Sequence, residues 1–268
     1  MRALTRPRTH RTTRTARTTP TTRTTRTAVA VLLCAAAAAG AAACGPSADE
    51  AKAKPAGPFG ELTGSQIVDK AFAATKTAKS LTVDVDVRSP VEPMKAYLSL
   101  DTGGKCAGTL TMGAANTAEL IKVDDKNVYL RFDEAFLREQ VKEDGPEAQD
   151  AMVKELKGRW LKSSASEADS DGMLALCDLD ELLDGFEQGA TGIEKGEETT
   201  VDGQSALALT EPGDAGETST VYVATEGTPY ILKIVTKGGE EPGTIAFSHY
   251  GKPVAAKAPA AKDVVVAD

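Results

Sequence analysis

Few residues of this chain could carry out acid–base or nucleophilic chemistry. Of its two histidines, only His249 lies outside the arginine-rich N-terminus, and the sequence contains no GxSxG, HExxH or phosphate-binding glycine loop. Carboxylate pairs such as Asp84 and Asp86 alternate with valines, which places both on the solvent-facing side of a predicted strand. We therefore predict a protein that is not an enzyme, with no catalytic residues, and with His249 on the surface of a strand.

One stretch has oxygen-bearing side chains at a spacing that could bind calcium. It runs from Glu167 to Asp178, with Gly172 where a calcium loop turns and an aliphatic residue two positions later. Glu167 stands in place of the usual first aspartate, and Asp178 in place of the bidentate last glutamate. The alternative is a solvated turn that caps the following helix. These two departures favour the turn, and we predict no metal and no cofactor.

The N-terminal 44 residues have the pattern of an export signal. Residues 1–27 contain eight arginines and no acidic residue, and an apolar run of about 16 residues ends at Cys44, short of the roughly 20 needed to span a bilayer. Ala41 to Ala43, directly before Cys44, resemble the lipobox of bacterial lipoproteins. That resemblance implies a signal peptide at 1–43 and a diacylglyceryl and palmitate anchor on Cys44. An ordinary cleaved secretion signal is the alternative.

Cys106 and Cys177 remain after Cys34 leaves with the signal and Cys44 takes the lipid. An even pair in an exported, oxidising setting favours a disulfide between them. Two buried thiols, or two metal ligands, are the other possibilities. Neither cysteine has a CxxC partner or a histidine close in sequence, so metal binding is the least favoured of the three.

The charge of the exported chain is strongly negative. Without the eight N-terminal arginines, the 31 lysines and arginines of the chain fall to 23, against 39 aspartates and glutamates, a net charge of about −16. Such a surface repels nucleic acids and anionic lipid headgroups. We therefore expect no nucleic-acid partner, and we expect membrane attachment to come from Cys44 through a flexible tether at 44–64.

Hydrophobic periodicity divides the rest of the chain into helices and strands. Spacing typical of an amphipathic helix at 65–78 is followed by five short alternating strands, at about 81–88, 95–100, 105–112, 117–123 and 127–132. Helical patterns follow at 134–143, 146–157 and 172–186. Five more strands are predicted at about 193–200, 205–210, 218–224, 230–236 and 244–250. Residues 253–268 form an Ala- and Pro-rich tail that we expect to be extended.

In each predicted strand, one face is aliphatic and the other polar. The residues that share the aliphatic face are Val83, Val85, Val87, Leu98, Leu100, Leu110, Met112, Val128, Leu130, Phe132, Leu207, Leu209, Val221, Val223, Leu232, Ile234, Ile245 and Phe247. Such a set forms either a filled core under helices or the lining of a lipid cavity. Trp160, the one tryptophan, could be a gate at the mouth of such a cavity or a packed residue at its rim.

The order of these elements resembles the LolA/LolB-like lipoprotein carriers, in particular the actinobacterial LppX/LprG lipoproteins. The stretches that carry the resemblance are the lipobox, AFAATKTAKSLTVDVDV at 71–87, TVDGQSALALT at 200–210, VYVATEGTPYILKIV at 221–235 and IAFSHYGKPV at 245–254. The resemblance implies an α+β fold at 65–252, with a strongly curved antiparallel sheet of about ten strands, an open half-barrel covered by helices on its concave side.

The same resemblance implies a function. It predicts an exported, membrane-anchored lipoprotein on the outer face of the cell membrane that binds the acyl chains of a lipid or glycolipid and carries or presents it. A cell-envelope binding or signalling module with a filled core and a protein partner is the alternative.

Overall fold

The computed structural model of the protein describes residues 57–91, 93–113, 116–124, 126–168, 173–184, 192–213 and 216–266. The predicted signal peptide and Cys44 lie outside these residues. The strands are β1 (Ser80–Val87), β2 (Met94–Asp101), β3 (Cys106–Met112), β4 (Asn116–Lys122), β5 (Asn127–Phe132), β6 (Trp160–Ser164), β7 (Glu194–Val201), β8 (Gln204–Pro212), β9 (Thr218–Ala224), β10 (Ile231–Lys237), β11 (Gly243–Ser248) and β12 (Val264–Val266). The α-helices are α1 (Gly64–Lys76), α2 (Glu134–Gln140), α3 (Pro146–Leu156), α4 (Ala165–Ala168) and α5 (Leu179–Asp184).

All twelve strands belong to one unclosed sheet. Its order is β12-β6-β5-β4-β3-β2-β1-β11-β10-β9-β8-β7, so the two meanders meet at β1 and β11 in the middle. Every neighbouring pair is antiparallel except β12 and β6, which are parallel. The predicted fold class, a curved antiparallel sheet covered by helices, is confirmed, with twelve strands in place of about ten.

Helix α1 crosses the covered, concave face of this sheet. It begins with a capping box, in which the Thr63 hydroxyl accepts from the Gln66 backbone N–H at 3.3 Å and the Gln66 side chain accepts from the Thr63 N–H at 2.9 Å. Its buried side chains recur at helical spacing: Ile67, Val68, Ala71, Phe72 and Thr75. Because these residues form one apolar stripe, the helix can close one side of the core while its other face remains polar.

Phe59 and Leu62 extend the packed domain toward the N-terminus. Both residues lie in the stretch predicted as a tether, and both pack against the hydrophobic core. Their side chains precede the Thr63 cap of α1, so the ordered domain includes the last part of that stretch.

The predicted helix at 172–186 is divided in the structure. A 3-10 turn at Met173–Cys177 precedes α5, and the two segments meet at Asp178. The Asp178 Oδ1 accepts from the backbone N–H groups of Asp180 at 2.9 Å and Glu181 at 3.1 Å. A short carboxylate side chain captures these N–H groups and starts a new helix, which the hydrophobic spacing alone does not reveal.

The C-terminal tail is tied back to the sheet. The Gly251 N–H donates to the Ser80 carbonyl at 2.9 Å, and the Ser80 hydroxyl donates to the Lys252 carbonyl at 2.7 Å. Ala256 is buried, and β12 then pairs with β6 at one edge of the sheet. A tail predicted only as extended therefore supplies an edge strand.

No helix in the described part of the chain is long and apolar enough to span a bilayer.

Candidate binding cleft

The structure brings the predicted lining residues together on the concave face, with two exceptions. All except Met112 and Leu232 belong to one large hydrophobic cluster, either as buried members or packed against it. Leu232 belongs to a separate small cluster with Val201, Ala206 and Ala224. The strict alternation used to select the lining residues therefore fails within β10.

A β-bulge in β10 explains the position of Leu232. Ile231 pairs with Val223, whereas Lys233 pairs with Tyr222, so two positions along β10 correspond to one along β9. Such an extra residue reverses the alternation of faces on the two sides of the bulge. Ile231 and Ile234 therefore both enter the main cluster, and Leu232 is excluded from it.

A cleft of about 620 Å³ lies on one part of the concave face. Its sheet wall comes from the middle of the sheet, and its opposite wall comes from the 3-10 turn and α5. The described lining residues are Val85, Val87, Met94, Ala175, Leu176, Glu181, Leu182, Glu217, Ser219, Ile234, Thr236, Glu241, Gly243, Thr244 and Ile245. Only Val85, Val87, Ile234 and Ile245 among these were predicted as lining. Most of the other predicted residues are buried in the core cluster or packed against it.

A smaller hollow of about 60 Å³ adjoins the cleft and shares Ser219 and Ile234 with it. It lies under α1, against Val68 and Phe72, and includes Leu209 and Val221 from the predicted set. The hollow is too small for a bound molecule of its own. It extends the apolar surface of the cleft toward β8 and β9.

The wall opposite the sheet is fixed at both ends. Cys177, at the end of the 3-10 turn, forms a disulfide with Cys106 at the start of β3. At the other end of this wall, the Lys76 ammonium of α1 donates to the Asp184 carboxylate of α5 at 2.7 Å. Residues 173–184 are therefore attached to both the sheet and α1.

The side chains on the sheet wall change from apolar to polar along the strands. Ile234 and Ile245 are register partners, and the next pair on the same face is Thr236 and Gly243. The Thr236 Oγ1 and Ser219 Oγ are hydrogen-bonded at 3.0 Å. β9 and β10 therefore present aliphatic side chains in their interior and hydroxyl groups near one end of the cleft.

Three glutamates line the same cleft: Glu217 before β9, Glu241 before β11, and Glu181 on α5. Glu217 lies against the turn between β10 and β11, where Gly238 and Gly239 have φ values of 73° and 67°. A Cβ atom added to Gly239 would lie 2.5 Å from the Glu217 Oε2. The two glycines therefore permit the turn and leave room for the Glu217 carboxylate.

The described lining of the cleft provides apolar surface and shape, and His249 is not part of it. His249 lies just beyond the end of β11, at a φ of 53°, and its Nδ1 is 3.1 Å from the Ser248 hydroxyl. The prediction that His249 belongs to the strand is wrong, because the chain leaves the sheet one residue earlier through this left-handed turn. The residue is exposed and does not line the cleft.

Trp160 lies away from the cleft lining, whereas Ala175 and Leu176 of the possible calcium loop belong to it. Trp160 is buried, with the Arg131 guanidinium 4.6 Å from its ring centroid, and Arg131 is in turn bonded to Glu119 at 2.6 Å. It is therefore a packed residue. Gly172 lies outside the described residues, whereas Asp178 caps α5. Within the described ranges, no three His, Cys, Asp or Glu side chains are grouped as metal ligands would be.

Sequence reasoning missed the part of the cleft that does not come from strand alternation. Leu182 belonged to the predicted helical apolar pattern, and Ala175 and Leu176 fall within the same predicted helix. Their position opposite β1, β10 and β11 depends on the tertiary path of the chain. The glutamates near the strand ends could be found only through the strand registers, which place their connections beside one another.

Solved structures with a similar fold include two mycobacterial proteins. Lipoprotein LppX from Mycobacterium tuberculosis is 16% identical, with a TM-score of 0.48, and the alignment covers 72% of this chain and 98% of that one. LprF from Mycobacterium bovis is 17% identical, with a TM-score of 0.49 and coverage of 74% and 97%.

A more distant neighbour is a LolA superfamily protein from Nitrosomonas europaea. It is 9% identical, with a TM-score of 0.21, over 70% of this chain and 92% of that one. No protein-family model and no curated protein matches the sequence.

Proposed function

We propose that this protein is an exported lipoprotein that binds the acyl chains of a lipid or lipidated glycan in the cleft, and carries or presents that molecule outside the cytoplasmic membrane. The observation that carries the proposal is the cleft of about 620 Å³. Its volume falls within the range of about 300–1,000 Å³ typical of small-molecule sites. It is a binding role, with no chemical step.

The lining supports acyl chains as the bound group. Val85, Ile234 and Ile245 from the sheet face Leu176 and Leu182 from the opposite wall. None of the described lining residues is aromatic, so the walls are aliphatic and suit flexible chains better than flat rings. Each methylene group removed from water contributes about 0.8 kcal/mol, so a chain of even modest length gains substantial binding energy.

The N-terminal sequence supports a membrane-bound location. The lipobox-like residues before Cys44 favour an anchor on that cysteine, and with it a position on the outer face of the cytoplasmic membrane. A diacylated, palmitoylated N-terminus provides the two or more chains that stable anchoring requires. A protein held at the membrane surface in this way could take up a lipid without crossing the aqueous phase.

A second function is favoured by the filled part of the core. Residues such as Leu98, Leu100 and Leu120 are almost fully buried, and the cleft occupies only part of the concave face. A cell-envelope binding or signalling module that recognises a protein through its acidic exterior would need no cavity at all. Crosslinking followed by affinity purification would recover a stoichiometric protein in that case.

Lipid binding is tested by a substitution that fills part of the cleft. Thr236 lines the cleft on β10, and Thr236→Trp places an indole across it. We expect the variant to bind a pyrene-labelled diacylglycerol at least about tenfold more weakly than wild type, which corresponds to about 1.4 kcal/mol. Equal binding by the two proteins would contradict the proposed site.

Val235→Trp is the matched control. Val235 is the preceding residue of β10, it lies on the opposite face from Ile234, and it is not among the described lining residues of the cleft. The same indole is thereby added to the same strand outside the line of aliphatic cleft residues. We expect this variant to bind the probe as wild type does, and thermal denaturation of both variants checks that they remain folded.

A further inference from the structure

We propose that the cleft selects lipids whose headgroup carries no net negative charge and donates hydrogen bonds, as amines and sugar hydroxyls do. This inference rests on the proposed function, because it concerns the headgroup of the molecule whose acyl chains occupy the cleft. It names a property of the ligand that the apolar lining alone does not determine.

The orientation of the ligand follows from the sequence of side chains along the strands. Ile234 and Ile245 lie toward the middle of β10 and β11, and Thr236 follows them on the same face. Ser219 occupies the matching position on β9, where it is bonded to Thr236. Glu217 lies two residues before Ser219, and Glu241 lies two residues before Gly243, the register partner of Thr236. An amphiphile therefore fits with its chains against the isoleucines and its headgroup beside the hydroxyls and carboxylates.

The third carboxylate comes from the opposite wall. Glu181 lies on α5, beside Leu182, and both residues line the cleft. Acidic side chains thus face the ligand from the sheet connections and from the helical wall. In the part of the chain that the structure describes, none of these three glutamates forms an ion pair.

The charged side chains in the described lining of the cleft have a single sign. Every charged residue among its described lining is a glutamate. The short stretches after residue 56 that fall outside the described ranges contain no lysine or arginine in their sequence: Glu92, 114–115, Asp125, 169–172, 185–191, 214–215 and 267–268. A neutralising cation from these stretches is therefore excluded by composition.

The glutamates of the cleft have two effects on which headgroups can bind. Ionised carboxylates accept hydrogen bonds but do not donate them, so a headgroup seated among them must supply the donors. A phosphate would also meet like charges, which repel within the screening length of about 8 Å at physiological ionic strength. Both effects favour the binding of an amine, and the first favours the binding of a sugar hydroxyl. Both effects disfavour the binding of a phosphodiester.

The test uses diacylglycerols with identical chains and four different headgroups. These are the free hydroxyl, a glucosyl group, an aminoacyl ester with a free amine, and phosphoglycerol. Each competes with the pyrene-labelled diacylglycerol for the full-length protein in neutral detergent. We expect the glucosyl and amine lipids to bind at least about fivefold more tightly than the phosphoglycerol lipid. We also expect this ratio to shrink when the salt concentration is raised from 50 to 500 mM, because salt screens the repulsion.

The glutamates are tested by the triple variant Glu181→Gln, Glu217→Gln and Glu241→Gln. We expect it to reduce the ratio between the glucosyl and phosphoglycerol lipids to below about twofold. The control variant, Glu194→Gln, Glu197→Gln and Glu198→Gln, removes the same charge from the exposed edge strand β7, away from the cleft lining. It should keep the wild-type ratio.

Equal or tighter binding of the phosphoglycerol lipid by wild type would overturn the headgroup proposal while leaving the acyl-binding function intact. Equal reduction of the ratio between the glucosyl and phosphoglycerol lipids by the two triple variants would also overturn it. The net charge of the protein, rather than the glutamates of the cleft, would then be responsible. Failure of all four lipids to bind would instead refute the proposed function and, with it, this inference. Comparison of the glucosyl lipid with the amine lipid shows whether hydroxyl or amine donors bind more tightly.

Discussion

The hydroxyl of Thr75 on α1 accepts a hydrogen bond from the backbone N–H of Ile231 on β10, at 3.0 Å. Ile231 is the residue at which β10 bulges away from the regular register of β9. A bulge leaves a backbone group without a partner in the neighbouring strand. Thr75, which is fully buried, satisfies that group and joins the first helix to the sheet.

Replacing Thr75 with valine should destabilise the protein by about 1–3 kcal/mol. The change keeps the shape of the side chain but leaves the buried Ile231 N–H without its acceptor. Urea denaturation measures the difference in the free energy of unfolding. Thr199→Val is the control, since Thr199 lies exposed on β7 and should change the stability by no more than about 0.5 kcal/mol. Equal stability of the two variants would show that the bond contributes nothing.

Tyr250 should make the stability depend on pH in the alkaline range. Its hydroxyl donates to the Ile231 carbonyl, its ring stacks on Tyr230 with centroids 4.1 Å apart, and burial raises its pKa above the ordinary value. Its contact with Thr75 opposes this rise in part. The native state therefore retains a proton that the unfolded chain loses above about pH 10.

The sign of this effect follows from the bound protons. Tyr250 contributes its full stabilisation below about pH 10, and above that pH the free energy of unfolding should fall by up to about 1.4 kcal/mol per pH unit. Tyr250→Phe cannot ionise, so its stability should decline less steeply between pH 9.5 and 11. Parallel decline of the two proteins in urea denaturation would show that another group is responsible.

The disulfide between Cys106 and Cys177 should contribute substantially to stability. It closes a loop with a sequence separation of 71, and in the chain-entropy model such a crosslink contributes about 4 kcal/mol. The double variant Cys106→Ala and Cys177→Ala should lose stability on that scale in denaturant, without further change on adding reductant. Wild type should be weakened by reductant. Two titratable thiols in the unreduced wild-type protein would contradict the crosslink.

Loss of the disulfide should also weaken lipid binding. Ala175 and Leu176 belong to the 3-10 turn that Cys177 attaches to β3, and both line the cleft. Without the crosslink, this wall loses its covalent attachment to the sheet and keeps its apolar packing on the core and the Lys76–Asp184 pair, whose Asp184 side chain is 66% exposed. Exposed ion pairs stabilise by less than about 1 kcal/mol. A probe titration at a temperature where the variant remains folded measures the change.

The alternation of apolar and polar residues was sufficient to predict the sheet and its buried face. It identified β1 to β5 within two residues at each end, because each strand is half-buried and ends at a turn with glycine or charged residues. It was wrong at Leu232, because the bulge depends on Thr75 and Tyr250, which are distant in sequence. It also could not show β12, whose three residues pair only after the tail has crossed the domain.

The cleft was less predictable than the sheet. Alternation indicates which residues are buried but not whether helices fill the space above them. Val83 and Val85 lie on the same face of β1, yet only Val85 lines the cleft. The difference arises from where α1, the 3-10 turn and α5 lie, and those positions depend on tertiary contacts such as the disulfide.

Membrane attachment should depend on Cys44. In the proposed export route this thiol carries the lipid, and the acidic chain has no electrostatic attraction to anionic bilayers. Cys44→Ala should therefore move the protein from the membrane fraction to the soluble exported fraction in the native host. Cys34→Ala, within the predicted signal peptide, should leave the distribution unchanged. Continued membrane association of the Cys44 variant would show that the anchor lies elsewhere.

The occupancy of the cleft in the native host is the most direct test of the carrier function. Wild type, Thr236→Trp and Val235→Trp are purified from that host in mild detergent, and their bound lipids are extracted and quantified by mass spectrometry. We predict close to one lipid per molecule for wild type and Val235→Trp, beyond the N-terminal anchor, and strong depletion for Thr236→Trp. Equal lipid content in all three proteins, or none in wild type, would contradict the account.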